Sequence, residues 1–405
     1  MQFYYKGKTK EGNPTEGIKE SPDKFSLARD LKASGILVTE IRENKKGGSF
    51  GNISINVSFL DKIKLQDKII FTRNLSGMLS AGLALSRALQ ILEKQSKSRK
   101  FKTVINSLVS EINQGGNLSS GMAKHGDVFS TLFVSMVRAG EESGSLSQSL
   151  KEVGLNLEKS YELRKKIKGA MTYPSIIVGA IVLVGVLMMI YVVPTLTKTF
   201  VELGIDLPLA TRAIIFISNT LKNHILLIIL GFGLFVFGMS VLFKNKKFVR
   251  YFDGFIIKLP VIGTIVKEVN SARTARTLSS LLISGVSVSK SIEITRDVLQ
   301  NSRYKETMDL AIKRIEKGEP LSSVFKENTK LYPVMVGEMM EVGEETGKFS
   351  DMLLDIAKFY EEEVDNKTKN LSTIIEPVLM VLIGGAVGFF ALSMISPMYS
   401  ILDTI

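Results

Sequence analysis

The chain repeats itself after 203 residues, and this feature constrains its fold more than any other. The stretch AGEESGSL at Ala139–Leu146 returns as VGEETGKF at Val342–Phe349, a shift of 344 − 141 = 203 between the two leading glutamates. A single shift that aligns positions from about 70 to 200 indicates an internal duplication. Applied without gaps, it also pairs Arg73 with Arg276, Ser76 with Ser279, Gly82 with Gly285, Gly115 with Gly318, Pro174 with Pro377 and Pro194 with Pro397.

Three uncharged apolar runs interrupt an otherwise polar chain. They are Pro174–Val193, Ile225–Phe243 and Pro377–Ile395, of twenty, nineteen and nineteen residues. Each is long enough for a helix to cross a bilayer core of about 30 Å. The first and third runs belong to the two copies, and the second returns the chain so that both copies face the same side. The sequence therefore predicts three transmembrane helices.

The formal net charge of +12 admits a nucleic-acid partner or a membrane protein with basic cytoplasmic flanks. In the link between the first two runs, the stretch Pro194–Arg212 is balanced, because Lys198 and Arg212 offset Glu202 and Asp206. The N-terminus and both polar segments are therefore predicted to be cytoplasmic and the C-terminus external, so nucleic acid is not needed to explain the charge. Basic residues flank the opposite ends of the runs: Lys159, Arg164, Lys165, Lys166, Lys168, Lys244, Lys246, Lys247, Arg250, Lys367 and Lys369.

Apolar residues within each copy recur with helical spacing, and Gly115 and Gly318 interrupt this pattern at equivalent places. The predicted fold is mostly α: two duplicated cytoplasmic helical bundles, three transmembrane helices and a small N-terminal α+β module. The N-terminal module reads as a hairpin, a helix and a strand, with its hairpin turn at Glu11–Pro14. The predicted divisions are the module (1–43), a linker (44–57), bundle one (58–168), span one (174–193), an external link (194–224), span two (225–243), bundle two (261–370), span three (377–395) and an external tail (396–405).

The repeated acidic stretch has a predicted local structure. Gly140 is expected to end a helix, Glu141 and Glu142 to lie in the connection, Gly144 to turn the chain and Ser147 to begin the next helix. The paired acids either bind a partner or a cation, or they stabilise a helix–helix corner by favouring a helix N-terminus. The second copy supplies the same candidate residues: Gly343, Glu344, Glu345 and Gly347.

Further candidate residues lie at the ends of the apolar runs and within the third. Glu376 directly precedes the third run, where it serves either as a membrane anchor or as a partner contact. Gly384, Gly385 and Gly388 allow close helix approach, so span three is expected to pack tightly against another span or a second copy. The remaining boundary residues are Tyr173, Pro174, Pro194, Pro377 and Pro397.

The composition argues against an enzyme or a metalloprotein. The chain has no cysteine and two histidines, His125 and His224, and it lacks the common hydrolase and metalloprotease motifs. No catalytic, cofactor or metal site is predicted, apart from the weak cation candidates at the acidic corners. A membrane transporter is a remote alternative, because three spans without internal charges enclose no pathway unless the protein oligomerises.

A set of short motifs occurs in order along nearly the whole chain, and this ordered set is more specific than any single member. It comprises Phe3, Tyr5, Gly7, Gly12, Gly17 and Ile18, then Arg73-Asn-Leu-Ser, Gly140-Glu-Glu-Ser-Gly, Tyr173-Pro, Leu207-Pro, Lys258-Leu-Pro-Val-Ile-Gly, Arg276-Thr-Leu-Ser, Gly343-Glu-Glu-Thr-Gly and Glu376-Pro. The sequence thereby resembles the inner-membrane platform proteins of type IV pili and type II secretion, the family usually called GspF/PilC.

This resemblance implies a non-enzymatic scaffold without cofactors in the bacterial inner membrane. Such a platform couples a cytoplasmic hexameric ATPase to the insertion of pilin subunits into a type IV pilus. The alternative is the equivalent platform of a type II secretion system, which handles pseudopilins. The resemblance also implies contacts with other inner-membrane assembly proteins, the lipid bilayer and further copies of the chain, and none with nucleic acid.

Overall fold

The computed structural model describes residues 2–9, 14–43, 63–202 and 207–402. The predicted linker, and residues 11–13 of the predicted hairpin turn, lie outside these described residues. The chain divides into two compact units, Met1–Lys62 and Ile63–Ile405.

The N-terminal unit is a three-stranded antiparallel sheet with one helix. Strands β1 (Gln2–Thr9), β2 (Pro14–Glu20) and β3 (Ile36–Glu43) pair in the order β2-β1-β3. Helix α1 (Lys24–Ala33) begins where Asp23 accepts hydrogen bonds from the next backbone N–H groups. It buries Leu27 and Leu31 with Phe3 of the sheet, which gives the unit a small core of its own. The predicted α+β module is thus confirmed.

The second unit is helical throughout its described residues, and its helices follow the duplication. The first copy holds α2 (Leu65–Ser80), α3 (Leu85–Gln95), α4 (Arg99–Asn113), α5 (Leu118–Ala123), α6 (Thr131–Glu142) and α7 (Leu146–Leu187). Helices α8 (Val193–Glu202), α9 (Leu209–Asn223), α10 (Ile225–Leu242) and α11 (Lys246–Lys258) connect the copies. The second copy holds α12 (Ile262–Ile283), α13 (Val288–Val298), α14 (Ser302–Ile315), α15 (Leu321–Glu327), α16 (Val334–Thr346) and α17 (Phe349–Leu402).

Each copy has its own core, and the two cores contact each other. Leu118 and Leu150 of the first copy, and their equivalents Leu321 and Leu353, are almost completely buried. The first core also includes Leu281 from α12 and Ile294 from α13. Polar contacts cross the same interface: the Asn156 amide lies 3.2 Å from Ser280 Oγ, and the Lys166 ammonium lies 3.0 Å from Asp365. The duplicated bundles therefore form one packed body.

The last helix of each copy runs without a break from its bundle into its apolar run. Helix α7 passes through Pro174, and α17 passes through both Pro377 and Pro397, so these prolines do not mark helix ends. A proline removes one backbone donor, which a long helix in a membrane protein tolerates. Near Pro174, the Ser175 hydroxyl donates to the Met171 carbonyl at 2.7 Å, which adds a side-chain hydrogen bond to that turn.

The described part of the link between the first two spans is helical. A π-helical segment, Met188–Val192, follows α7 and is itself followed directly by α8, which includes Pro194. The Met189 carbonyl of this segment accepts a hydrogen bond from Ser218 of α9 at 2.5 Å. A small apolar cluster joins α8 and α9 to the end of α17 through Val193, Phe200, Ile214 and Met394.

Among the described residues, three helical stretches are long and apolar enough to cross a membrane: Leu146–Glu202, Ile225–Leu242 and Ile375–Pro397. They contain the three runs expected from the sequence, except that the second helix ends at Leu242, one residue before the end of its run. The predicted fold class is therefore confirmed as a mostly helical chain with duplicated bundles, three candidate membrane helices and a small N-terminal α+β unit.

Candidate functional site at the duplicated corners and the membrane boundary

The prediction that Gly140 ends a helix is wrong. Gly140 is buried inside α6, which continues to Glu142 and crosses the start of α7 at close range. A Cβ atom added to Gly140 would lie 2.4 Å from Ser149 Oγ and 3.2 Å from Leu146 Cα. Its equivalent, Gly343, is inside α16, where an added Cβ would lie 3.1 Å from both Met352 Cβ and Phe349 Cα. Both glycines are needed because two helices touch there, and not because the chain turns there.

The first glutamate of each pair caps the N-terminus of a neighbouring short helix. The Glu141 carboxylate accepts hydrogen bonds from the backbone N–H groups of Leu118 and Ser119, at 2.5 and 3.0 Å, at the start of α5. Glu344 does the same at α15, accepting from Leu321 N at 2.7 Å and Ser322 N at 3.2 Å. An acceptor at these otherwise unpaired N–H groups satisfies the backbone and matches the positive end of the helix dipole. The recurrence of this acid in both copies therefore has a structural cause.

The second glutamate of each pair is exposed. Glu142 and Glu345 lie in the last turns of α6 and α16, not in the connections, and within the described residues neither side chain has a hydrogen bond or ion pair. Gly144 and Gly347 then turn the chain with positive φ angles of 70° and 69°. Each corner thus presents one unengaged carboxylate to solvent.

The corners have few ligands for a cation. Both oxygens of Glu141 already accept backbone N–H groups, which leaves Glu142 as the free carboxylate of the pair. A calcium ion takes six to eight oxygen ligands, and magnesium requires a near-octahedral set. Across the part of the chain that the structure describes, no group of three or more acidic or histidine side chains could hold a metal ion.

A duplicated arginine–glutamate ion pair was not predicted from the sequence. Arg73 Nη2 lies 2.7 Å from both carboxylate oxygens of Glu158, and Arg276 binds Glu361 through Nε and Nη2 at 2.9 and 2.7 Å. These pairs join the first and last helices of each bundle. The signal was present, because Glu158 and Glu361 also differ by 361 − 158 = 203.

Two serine hydrogen bonds reinforce the same helix contact in each copy. The hydroxyl of Ser76 donates to the Ser147 carbonyl at 2.8 Å, and the hydroxyl of Ser279 donates to the Ser350 carbonyl at 2.9 Å. The first helix of each bundle is thus fixed to the helix that continues into the membrane.

Charged side chains also line the junction between the copies. A cavity of about 340 Å³ is bordered by Lys159, Glu162 and Lys166 from α7 and by Arg276 and Glu361 from the second copy. Beside it, hydrogen bonds from Lys369 and from Lys166 of the other copy lower the pKa of Asp365. This carboxylate is therefore ionised at neutral pH and bridges the two long helices.

The predicted membrane-boundary residues differ in their surroundings. Tyr173, Glu376 and Pro377 are exposed, Pro194 is half-buried, and Pro174 and Pro397 are buried. A Cβ atom added to Gly384, Gly385 or Gly388 would meet no described atom within 4 Å. This glycine face of span three is therefore open in the single chain, and its close packing stays a prediction about another chain.

Together, the fold and these contacts define a class: a membrane scaffold built from two copies of a helical bundle that continues into a membrane-spanning helix. The family model "Type II secretion system (T2SS), protein F" matches the chain twice, at residues 71–194 and 274–397. These matches differ by 274 − 71 = 203, which is the shift found in the sequence. The chain belongs to this family, and the resemblance seen in the sequence is confirmed.

Full-length relatives come from both kinds of machinery. The chain is 36% identical over 405 residues to the type IV pilus assembly protein PilC of Thermus thermophilus, covering 100% of this chain and 98% of the relative. It is 31% identical over 404 residues to the PilC of Myxococcus xanthus, covering 100% and 96%. It is 27% identical over 395 residues to the type II secretion system protein F of Vibrio cholerae, covering 98% and 97%. The family and the three apolar helices together indicate an inner-membrane protein.

Proposed function

We propose that this protein is the inner-membrane platform of a type IV pilus assembly machine. It couples a cytoplasmic hexameric ATPase to the insertion of pilin subunits into a growing filament. The observation that carries the proposal is the likeness, over the full chain, to proteins named for pilus assembly at 36% and 31% identity. The equivalent platform of a type II secretion system is the second candidate, supported by the relative at 27%.

The proposed topology places the N-terminus and both bundles in the cytoplasm and the C-terminus outside. Its support is the charge distribution, because basic residues flank the bundle ends of the spans while the stretch from Pro194 to Arg212 has no net charge. The same orientation puts the exposed corners at Glu142 and Glu345 where a cytoplasmic ATPase can reach them. The division into module, linker, bundles and spans predicted from the sequence is part of this proposal.

The long helices provide a mechanical route from the ATPase to the pilin. At about 1.5 Å per residue, α7 and α17 extend for about 60 and 80 Å, and each joins a bundle to a span. A force on either bundle is therefore passed along a continuous helix. We assign the partner contact at the corners to Glu142 and Glu345, since Glu141 and Glu344 are occupied within the fold. The glycine face of span three then offers close contact to a pilin helix or a second copy.

No catalytic step belongs to this proposal. Neither the family description nor the names of the relatives indicate catalysis. The platform needs no cofactor, because the ATPase supplies the energy and the chain supplies a rigid connection. Other inner-membrane assembly proteins and further copies of the chain complete the proposed assembly.

Co-purification tests the proposal directly. The tagged full-length protein is extracted with a mild detergent from its native membrane, and its partners are identified by mass spectrometry. An assembly ATPase together with pilins supports the pilus platform, whereas pseudopilins and secretion components support the second candidate. Recovery of permease or enzyme subunits instead of these components contradicts both.

A pair of variants tests the assigned partner contact. E142Q/E345Q removes the two exposed charges at the corners, and we expect ATPase recovery to fall several-fold while the fold is unchanged. E338Q is the control for E345Q, which removes one charge from the same helix, because Glu338 is also exposed on α16 and has no hydrogen bond or ion pair within the described residues. Equal recovery with E142Q/E345Q and with E338Q would remove the corners from the interface.

A further inference from the structure

A cavity of about 680 Å³ lies between the two copies, close to the start of span one. Its lining comes from α7, from α11, from α12 and from the two residues just before α14, with Thr368 contributed by α17. Three basic side chains, Arg164, Lys168 and Arg273, line it together with one acid, Asp253. The Asp253 carboxylate already accepts one hydrogen bond, from Ser302 N at 2.7 Å.

The three basic groups differ in their pairing from two neighbouring lysines. Within the described residues, none of the three side chains takes part in an ion pair or hydrogen bond, whereas the nearby Lys166 and Lys367 are both paired. Burial lowers the pKa of Arg273, and the positive charge of Arg164 lowers it further. Two like charges held close together, one of them half-buried, favour an anion between them.

The position of the cavity points to the membrane surface. Lys168 precedes Pro174, the first residue of span one, by six residues, or about 9 Å along a helix. Helix α11, which contributes Asp253 and Ile256 to the cavity, directly follows span two and exposes Tyr251 and Phe255. Exposed aromatic and basic residues beside a span are typical of a helix in the membrane interface.

A shallow groove leads from the cavity toward the apolar part of span one. It shares Ile167, Lys168 and Met171 with the cavity and continues along α7 past Thr172 and Ser175 to Ile176. The cavity wall beneath the basic groups is itself apolar, with Ile262, Ile265 and Val269 from α12. The surface thus changes from basic to apolar in the direction of the bilayer, which is the order of groups along a phospholipid.

We propose that this cavity binds one anionic phospholipid, with its phosphate headgroup between Arg164, Lys168 and Arg273 and an acyl chain along the groove on α7. The lipid joins α7 of the first copy to α12 of the second at the membrane surface. This proposal requires only that the chain is embedded in a membrane, so it stands or falls separately from the pilus or secretion role.

Native mass spectrometry of the full-length protein in detergent tests the proposal. The probes are short-chain phosphatidylglycerol, the zwitterionic phosphatidylcholine of the same chain length, and inorganic phosphate. We expect tight binding of one phosphatidylglycerol and much weaker binding of the other two. Equal binding of both lipids, or phosphate binding as tight as that of phosphatidylglycerol, overturns the proposal.

Matched variants locate the site. R164Q/R273Q is expected to weaken phosphatidylglycerol binding by about 25-fold, since each basic group near an anionic lipid contributes about five-fold. K165Q/K267Q makes the same charge change on the same two helices outside the cavity, and its affinity is expected to match the parent protein. Equal weakening in both variants would show a general charge effect and overturn the assignment.

A third variant tests the site at an exposed residue, where a substitution is not expected to cause misfolding. Lys168 is exposed, so K168Q changes no packing in the bundles. It is expected to weaken phosphatidylglycerol binding by about five-fold. If K168Q binds the lipid as tightly as K165Q does, the headgroup does not lie in this cavity.

Discussion

The two copies share a backbone plan but fill its core differently. In the first copy three phenylalanine rings pack together: the ring centroids of Phe101 and Phe129 lie 5.4 and 6.2 Å from that of Phe71. In the second copy two tyrosines and a threonine replace them, and their hydroxyls are satisfied: Tyr304 donates to the Leu331 carbonyl at 2.8 Å, and Tyr332 lies 3.1 Å from Thr274. The equivalent positions are Phe71 and Thr274, Phe101 and Tyr304, and Phe129 and Tyr332. The duplicated helices therefore preserve a geometry rather than a particular core composition.

The copies also differ in how deeply their first helix is enclosed. Helix α2 packs on α7, whereas α12 packs on α17 and additionally contacts α7 of the other copy. As a result the Arg276–Glu361 pair has side chains only 12% and 17% exposed, against 65% and 33% for Arg73–Glu158. The same ion pair is thus on the surface in one copy and in the interior in the other.

The largest predicted difference between the copies comes from breaking this pair. R276A leaves Glu361 largely buried without its partner, and we expect a loss of about 3 kcal/mol in the free energy of unfolding. R73A breaks an exposed pair and is expected to cost less than about 1 kcal/mol. Chemical denaturation of the full-length protein in detergent measures both losses, and hydrogen exchange locates them within each copy.

A second substitution controls for lost packing. R276A/E361Q removes the unpaired charge along with its partner, so it is expected to recover part of the stability that R276A loses. Similar losses for R73A and R276A would contradict the idea that the second copy is the more enclosed one.

The next prediction concerns the buried glycines of the two corners. An added methyl group meets Ser149 Oγ at 2.4 Å in the first copy but Met352 Cβ at 3.1 Å in the second. G140A is therefore expected to destabilise the protein by about 2 kcal/mol and G343A by about 1 kcal/mol, because overpacking forces the helices apart. Hydrogen exchange in α6 and α7, compared with α16 and α17, measures the two effects separately.

A substitution at Ser149 provides a control for this prediction. S149G removes the side chain that the methyl group added by G140A would strike, so G140A/S149G is expected to be less destabilised than the sum of its single substitutions. A purely additive result would mean that Gly140 is needed for another reason.

Much of the architecture could be predicted from the sequence because duplication and hydropathy act over long stretches. The shift of 203 residues locates both copies, and the apolar runs locate three spans without any knowledge of packing. Gly115 and Gly318, which interrupt the helical pattern in the sequence, do follow helix ends: each adopts a positive φ angle shortly after α4 or α14. These signals are local or periodic, and the fold does not alter them.

Contacts between distant segments could not be predicted in the same way. A buried glycine that allows a helix crossing looks the same in sequence as a glycine that ends a helix, so Gly140 was assigned the wrong role. The cap that Glu141 provides lies 23 residues away at α5, and the Asn156–Ser280 contact spans 124 residues. The basic cavity is formed by helices from both copies, so no single stretch of sequence indicates it.

The smallest predicted effect concerns an ion pair whose charges are reversed between the copies. Lys124 pairs with Glu111 in the first copy, while their equivalents are Glu327 and Arg314. K124E places two acids together and is expected to lower the free energy of unfolding by about 0.5 kcal/mol, since the side chain at position 124 is exposed and can turn toward solvent. E111R/K124E reproduces the second copy's arrangement and is expected to restore most of this loss.

The restoration is expected to be incomplete for a structural reason. In the second copy Arg314 also lies 3.6 Å from Glu319, and the equivalent position in the first copy is Gly116. Adding G116E to E111R/K124E therefore supplies the missing carboxylate and is expected to complete the recovery. The four unfolding free energies of the parent protein, K124E, the double variant and the triple variant test this order. If the double variant is no more stable than K124E, the pair depends on its surroundings and the reversed charges are not equivalent.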